Sequence, residues 1–150
     1  MDQQKVNILL IEDNPAEARL TQEALKVWRT PLNVDVVNTG DDALNFLRKL
    51  ENYKYAKRPD LIFLDLNLPK KHGREILAEI KSDPELKSIP VLILTVSESE
   101  DDVYMGYQLG TSGYIKKTFN FDHFIEMMRK IEDYWLSVVI LPRNLNGLFE

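Results

Sequence analysis

Acidic residues stand directly after the two most apolar segments of the chain. Asp65 follows LIFL (61–64), and Glu12 with Asp13 follows VNILLI (6–11). An ionised carboxylate in apolar surroundings must be paired, or its pKa rises, because burial penalises the charged form. These acids therefore need cationic partners, and the kind of partner indicates the chemistry.

Two further polar side chains follow apolar segments later in the chain. Thr95 follows VLIL (91–94), and Lys117 follows GYIK (113–116). Oxygen ligands without histidine or cysteine suit a hard divalent ion, Mg²⁺ or Mn²⁺. Such an ion, the ammonium and the hydroxyl around Asp65 would form a phosphoryl-transfer site. Asp65 would be the nucleophile, and the cations would neutralise the incoming oxygens.

Each of these residues has a simpler interpretation when it is taken alone. An aspartate at the end of a strand most often caps a helix or forms a turn, and an acidic pair before a helix complements the helix dipole. A threonine there is usually a cap, and a lysine is usually solvated. The phosphoryl-transfer hypothesis therefore depends on all of them lying at one edge of a single sheet.

The order of the predicted elements places the acids, the threonine and the lysine at one edge of the sheet. Branched apolar segments predict five strands, at 6–11, 33–37, 61–64, 91–94 and 113–116. Helical spacings separate them, which predicts an α/β fold with a doubly wound parallel sheet. Right-handed crossovers favour the flavodoxin-like (βα)5 order 2-1-3-4-5. Ligands bind at the carboxyl ends of such strands, where the acids, the threonine and the lysine converge.

The helices are predicted from their starts and from their apolar stripes. Asn14-Pro15-Ala16-Glu17 is typical of a helix start, with Asn14 as the cap, Pro15 at the first helical position and Glu17 reaching back to the cap. The five stripes are Leu20, Ala24 and Val27; Ala43, Leu47 and Leu50; Ile76, Leu77 and Ile80; Val103 and Tyr107; and Phe121, Phe124, Ile125, Met128 and Trp135.

Composition excludes several classes of protein. The chain has 150 residues, 44% apolar and 29% charged, which fits one domain. Its net charge of −5 argues against nucleic-acid binding, and the lack of cysteine excludes disulfides and cysteine nucleophiles. The first residues do not match a signal peptide, and every apolar segment is too short to span a membrane. We expect a cytoplasmic protein without a membrane partner.

Over about residues 5 to 135, the chain resembles the receiver domain of two-component response regulators. The matching residues are Glu12-Asp13 after the first strand, Asp65 after the third, Thr95 after the fourth and Lys117 after the fifth. The segment DLNLPKKHG, which begins at Asp65, also matches a loop of that family. The resemblance implies a signalling domain that is not an enzyme, although it assists its own phosphorylation and dephosphorylation.

The resemblance also implies a role for each residue. Asp65 is expected to accept a phosphoryl group from a phosphohistidine of a sensor histidine kinase. Glu12, Asp13, Asp65 and the backbone carbonyl of Asn67 are expected to bind Mg²⁺.

Three residues are expected to respond to the phosphoryl group. Lys117 is expected to bind it, and Thr95 and Tyr114 resemble a switch pair. In that pair the hydroxyl moves onto the phosphoryl group and the aromatic ring turns inward.

The chain departs from the family pattern at three positions, namely Thr118, Val96 and His72. Lys117-Thr118 replaces Lys-Pro, whose peptide bond is often cis. Since a cis bond before a non-proline residue costs about 2.5–4 kcal/mol, we expect a rearranged or strained loop. Val96 is expected to narrow access to Asp65. His72, where the family often has aspartate, and His123 are expected to be solvated.

The last residues, 136–150, form an apolar extension of this single domain. No output domain is expected, which predicts a stand-alone receiver that acts through protein interactions. DLNLPKKHGREIL, the polar insertion at 51–59 and YWLSVVILP resemble the response regulators of phytochrome-type histidine kinases. The extension is expected either to fold back over its own sheet or to form a homodimer contact together with the last helix.

Three alternatives stay open. A haloacid-dehalogenase-type hydrolase would also use an aspartate with Mg²⁺, but it usually has a second acid where Asn67 stands. A flavodoxin-like FMN carrier would need a phosphate loop rich in serine, threonine and glycine after the first strand. A degenerate receiver would bind partners without phosphorylation.

Overall fold

Five parallel strands form the centre of the structure, a computed structural model that describes residues 5–142. The strands are β1 (Val6–Ile11), β2 (Leu32–Val37), β3 (Leu61–Leu64), β4 (Val91–Thr95) and β5 (Gly113–Lys116). Their order is β2-β1-β3-β4-β5, and each neighbouring pair is parallel. The predicted fold class and strand order are therefore confirmed.

Helices alternate with the strands. They are α1 (Pro15–Leu25), α2 (Gly40–Arg48), α3 (Gly73–Ser82), α4 (Glu100–Gln108) and α5 (Phe121–Glu132). A 3₁₀ turn (Glu51–Tyr53) lies in the predicted insertion, and a wider helical turn (Asp133–Val138) follows α5. Between residues 5 and 142, no helix is both long and apolar enough to cross a membrane.

The strands bury both of their faces, because alternate side chains point to opposite sides of the sheet. Leu9, Ile62 and Ile93 pack with α2 and α3 on one side. Leu10 and Phe63 pack with α1 and α5 on the other side. Burying each such side chain contributes about 1.5–3 kcal/mol. The two apolar layers thus hold the strand ends rigidly in place.

The first helix begins as predicted, with one difference. The Asn14 side chain accepts a hydrogen bond from the Glu17 backbone N–H at 3.0 Å, and Pro15 is the first helical residue. The Glu17 carboxylate, however, contacts Lys117. The Asn14 N–H instead donates to the Glu12 carboxylate at 3.3 Å. The prediction that Glu17 reaches back to the cap was therefore wrong.

Four of the residues predicted to lie on apolar stripes face solvent. Leu20 is 50% exposed, and Leu50, Tyr107 and Phe121 are also exposed. The first helix buries Ala18, Thr21, Ala24 and Leu25. Apolar spacing fixes the period of a helix, but the packing of its neighbours decides which residues of the stripe are covered.

The loop after β5 keeps a trans bond between Lys117 and Thr118, since residues 5–142 contain no cis peptide. The Lys117 N–H donates to the Thr95 carbonyl at 2.7 Å, which continues the strand pairing by one residue. The Thr118 hydroxyl then accepts a hydrogen bond from the Asn120 N–H at 3.2 Å. The trans bond avoids the energetic cost of a cis bond before a non-proline residue.

The extension is described as far as residue 142. Leu141 is buried in the apolar layer of α1 and α5, so this part folds back over its own domain. Val138 and Ile140 point outward, with 69% and 97% of their surface exposed. The rest of the predicted extension, residues 143–150, lies outside the described residues.

Candidate functional site

One ammonium lies among three carboxylates at the carboxyl edge of the sheet. Lys117 Nζ contacts Glu12 Oε1, lies 3.1 Å from Glu17 Oε1 and lies 3.4 Å from Asp65 Oδ2. Glu12, Asp65 and Lys117 are buried, whereas Glu17 is partly exposed. The structure thus brings together three residues that the sequence placed at strand ends and adds a fourth.

Backbone hydrogen bonds fix the three strand-end residues. The Glu12 N–H donates to Val37 at 3.0 Å, and the Asp65 N–H donates to Ile11 at 3.0 Å. The Lys117 N–H pairs with Thr95. Each side chain therefore starts from a backbone position that belongs to the sheet, although the residue lies just beyond its strand.

The pocket holds more negative charge than the ammonium can balance. Burial and a hydrogen bond with Asp65 raise the pKa of Glu12 to about 7, against the opposing effect of Lys117. Burial alone would raise the pKa of Asp65, but the hydrogen bond with Glu12 and the charge of Lys117 hold it below its ordinary value. Asp65 is therefore the ionised acid, whereas Glu12 exchanges a proton near neutral pH and is present in both forms there.

Lys117 stays charged in this pocket. Burial alone would lower its pKa, but the hydrogen bond with Glu12 and the charges of Asp65 and Glu12 raise it above the ordinary value. A permanently charged ammonium next to an ionised aspartate is an arrangement that can bind and stabilise an oxyanion.

Glu17 belongs to the pocket although its position in the sequence did not predict this. Carboxylate oxygens of Glu12, Glu17 and Asp65 lie within 4.8 Å of one another, and Asp13, although half-buried, is not part of that group. The available signal was the position of Glu17, in the first turn of the helix that follows the acidic pair. Only the orientation of that helix shows that its carboxylate enters the pocket.

The donor set fits a hard divalent cation. All its donors are oxygens, and the pKa of Glu12 is raised mainly by burial and then by its hydrogen bond with Asp65, so a bound cation would stabilise the ionised carboxylate. Glu12, Glu17 and Asp65 are the residues placed to hold it. The Asn67 N–H donates to Asp65 Oδ1 at 3.1 Å and so orients that carboxylate. The roles of Asp13 and of the Asn67 carbonyl as ligands stay predictions.

The two predicted switch residues lie beside the pocket. Thr95 is fully buried, and its hydroxyl helps to lower the pKa of Asp65, although among residues 5–142 it makes no hydrogen bond of normal geometry. The Tyr114 ring is partly buried against the core, and its hydroxyl donates to the Ser97 carbonyl at 2.8 Å. The ring already points inward here, while Val96 next to Thr95 is exposed.

His72 and His123 have different surroundings. His72 caps α3, because its Nδ1 accepts a hydrogen bond from the Arg74 N–H at 3.1 Å. It is therefore a partly buried helix cap, and the prediction of a solvated loop residue was wrong. His123 is exposed on α5, as predicted.

A charged network ties α3 to the start of α4. Arg74 Nη2 contacts Asp102 and lies 2.9 Å from Asp101 Oδ2. The Ser97 hydroxyl donates to Asp102 at 2.6 Å. The Ser97 hydrogen bond and then Arg74 lower the pKa of Asp102, although burial opposes them. This network holds the β4–α4 loop, which contains the carbonyl that Tyr114 contacts.

The fold and the site define a class of α/β protein in which an aspartate, an ammonium and an acidic pocket lie together at the carboxyl edge of a parallel sheet. The family model described as "Response regulator receiver domain" matches residues 8–129. The chain therefore belongs to the response regulator receiver domain family. Members of this family are signalling domains that take phosphoryl groups from histidine kinases and bind a divalent metal.

Within this family, the chain is similar to cyanobacterial phytochrome response regulators. It is 47% identical to the response regulator Rcp1 of Synechocystis sp., over 90% of this chain and 92% of Rcp1. The crystal structure of phosphorylated RcpA, a cyanobacterial phytochrome response regulator, matches with a TM-score of 0.88 and 49% identity, over 93% of this chain and 99% of RcpA. The Mn²⁺-bound form of Rcp1 matches with a TM-score of 0.85 and 46% identity, over 91% and 99% of the two chains.

Proposed function

We propose that this chain is a stand-alone response regulator that accepts a phosphoryl group on Asp65 from a sensor histidine kinase of the phytochrome type. The observation that carries the proposal is the contact of Lys117 Nζ with Asp65 in a buried pocket. The phytochrome type of kinase is supported by the similarity to Rcp1 and RcpA. A cytoplasmic location follows from such a partner.

Asp65 is suited to the transfer because it is ionised and oriented. One of its oxygens forms a bond to phosphorus as the P–N bond of the phosphohistidine breaks, and the imidazole nitrogen keeps the electron pair and takes up a proton. The Lys117 ammonium neutralises charge on the phosphoryl oxygens. Acids of the pocket would hold a Mg²⁺ or Mn²⁺ ion, which would supply further positive charge near those oxygens.

Thr95 is suited to sense the product. Phosphorylation changes the charge at Asp65 from about −1 to about −2 and adds acceptor oxygens. The Thr95 hydroxyl is buried beside Asp65 and makes no hydrogen bond of normal geometry within the described part of the chain, so a phosphoryl oxygen would satisfy it. Its movement would change the space next to Tyr114 and hence the β4–α4 loop to which the tyrosine is bonded. Such a change in a surface loop is a means of controlling a protein partner.

An exposed apolar rim next to the pocket supports docking of a kinase helix. Leu20 and Phe121 are partly exposed, and Phe119 is almost fully exposed. Together with Lys117 and Phe124 they line a cavity of about 110 Å³. A helix that covers this rim would place its phosphohistidine near Asp65 and would exclude water from the transfer.

Acetyl phosphate with Mg²⁺, read by intact mass, tests the proposal. Wild type is expected to gain the mass of one phosphate, and the adduct is expected to be absent in Asp65→Asn and after EDTA treatment. Asp122→Asn, a change of an exposed acid on α5, is the matched control and should be phosphorylated like wild type. Repeated turnover of a phosphomonoester would instead favour a hydrolase. Loss of the bound phosphate over time, slower with EDTA added after phosphorylation, would support self-catalysed dephosphorylation.

We also propose a homodimer that uses the last helix and the extension. Val138 and Ile140 are exposed, while Leu141 anchors the same segment to its own domain. The segment can therefore present apolar side chains to a second copy without unfolding. In sedimentation at micromolar concentrations, wild type is expected to be a dimer and Val138→Glu/Ile140→Glu a monomer. A monomeric wild type would remove this part of the proposal.

A further inference from the structure

All three N–H groups of Lys117 have carboxylate partners in this structure. An ammonium has three donors, and the acids at Lys117 are Glu12, Glu17 and Asp65. Phosphorylation of Asp65 converts this carboxylate into an acyl phosphate, so a phosphoryl oxygen can take over the Asp65 contact. A second phosphoryl oxygen can bind Lys117 only when Glu12 or Glu17 is released. Two properties determine which carboxylate is released. They are the burial of its side chain and whether its backbone belongs to the sheet or to a helix.

Glu17 is the carboxylate that leaves most easily. The side chains of Glu12 and Asp65 are 1% and 6% exposed, whereas that of Glu17 is 31% exposed. Releasing a buried carboxylate from its cation leaves an uncompensated charge, whereas a partly exposed carboxylate can turn into water at little cost. Glu17 is also carried by the first turn of α1, outside the hydrogen-bonded sheet that fixes the other two acids.

Phosphorylation of Asp65 favours the release of Glu17 from Lys117. A phosphoryl group brings a charge of about −2 to Asp65, next to the Glu17 carboxylate. The two negative groups repel each other and compete for the same ammonium.

We propose that Glu17 is a positioning residue that occupies the Lys117 N–H in the resting protein and is displaced from it by the phosphoryl group. The inference rests on the proposed phosphorylation of Asp65 and deepens it. Glu17 opposes phosphorylation by holding Lys117, and its return favours loss of the phosphoryl group. It thereby sets the affinity of the pocket for an oxyanion.

Beryllium fluoride, which adds to an aspartate as a phosphoryl analogue, tests this by titration calorimetry. Mg²⁺ is kept saturating for each variant, with its affinity measured first, because Glu17 lies in the acidic group that fits a cation. Glu17→Gln removes the charge at constant size. It is expected to bind the fluoride complex about 3- to 10-fold more tightly than wild type. Glu17→Asp keeps the charge on a shorter side chain, and its affinity for the fluoride complex is expected to lie between those of wild type and Glu17→Gln.

Glu23→Gln is the matched control. Glu23 lies on the same helix, and its carboxylate pairs with Lys26 at 2.8 Å on the surface. This variant is expected to bind like wild type. If Glu17 has only a structural role, Glu17→Gln should lower both the affinity for the fluoride complex and the thermal stability. If Glu17 competes with the phosphoryl group for Lys117, Glu17→Gln should raise that affinity without raising the stability of the metal-free protein.

Failure of the inference and failure of the proposed function give different results. If wild type binds the complex and Glu17→Gln binds it equally or more weakly, the role of Glu17 is overturned and the phosphoacceptor stands. If wild type neither binds the complex nor gains phosphate from acetyl phosphate, the proposed function is overturned, and this inference with it.

Discussion

The hydroxyl of Tyr114 donates a hydrogen bond to the backbone carbonyl of Ser97 at 2.8 Å. This contact joins β5 to the loop that follows β4, and the Ser97 hydroxyl continues it to Asp102 at the start of α4. The aromatic residue predicted to move on activation is thus bonded to the loop that it would move. Under the proposed function, this bond would connect the state of the pocket to the surface of α4.

Replacing Tyr114 by phenylalanine is expected to loosen the β4–α4 loop. The ring keeps its packing, so only the bond to Ser97 is lost, at a cost of about 1 kcal/mol. Hydrogen exchange of the amides at 96–99 should become faster. Tyr107→Phe, a change of an exposed tyrosine on α4, is the control and should leave exchange unchanged. Equal protection in both variants would show that the bond does not hold the loop.

Changes in the charged network are expected to shift the titration of Asp102. The hydrogen bond from the Ser97 hydroxyl lowers the pKa of Asp102 most, and Arg74 lowers it further. Ser97→Ala and Arg74→Met should therefore each move it up towards its ordinary value, as measured by NMR titration of the carboxyl carbon. Arg129→Met, on the exposed side of α5, should not move it. An unshifted Asp102 in both network variants would contradict the assigned causes.

The stability of the metal-free protein is expected to fall as the pH rises through about 7, because of Glu12. The folded pKa of Glu12 lies above the unfolded value of 4.5, so the folded state binds more protons between these values. The contribution of Glu12 is fully present below pH 4.5 and is lost as the pH rises through about 7.

Urea unfolding with EDTA at pH 6 and pH 8 measures this contribution. Wild type should lose about 1 kcal/mol more than Glu12→Gln over this interval. Mg²⁺ should oppose the loss, because a metal binds the ionised carboxylate. Parallel pH profiles for the two proteins would contradict a raised pKa at Glu12.

Gly73→Ala is expected to destabilise the protein and disturb Asp65. A Cβ at Gly73 would lie 2.6 Å from the Asp65 carbonyl oxygen and 2.6 Å from the Leu66 Cα, both of them backbone atoms. Overpacking of this kind costs about 1–3 kcal/mol, measured by urea unfolding. At Gly113 a Cβ would meet only a Leu92 side-chain atom at 3.1 Å, so Gly113→Ala should cost less. An equal cost would show that the approach to the Asp65 backbone is not limiting.

The sequence by itself determined the sheet and the residues at its edge. Continuous branched segments such as 61–64 become buried strands because their side chains fit a core on both faces. The alternation with helices fixes the strand order, because crossovers are right-handed. Since the residue after each strand must lie at the carboxyl edge, Asp65 and Lys117 could be placed together without coordinates.

The tertiary structure decided which side chains share the pocket. Glu17 and Asp13 are both acids near the end of β1, and only the rotation of α1 about its axis places Glu17 on Lys117. The same rotation exposes Leu20, which local spacing predicted to be buried. A sequence pattern gives the period of a helix, whereas its rotation results from the packing of all neighbouring elements, and the contacts of Lys117 depend on that rotation.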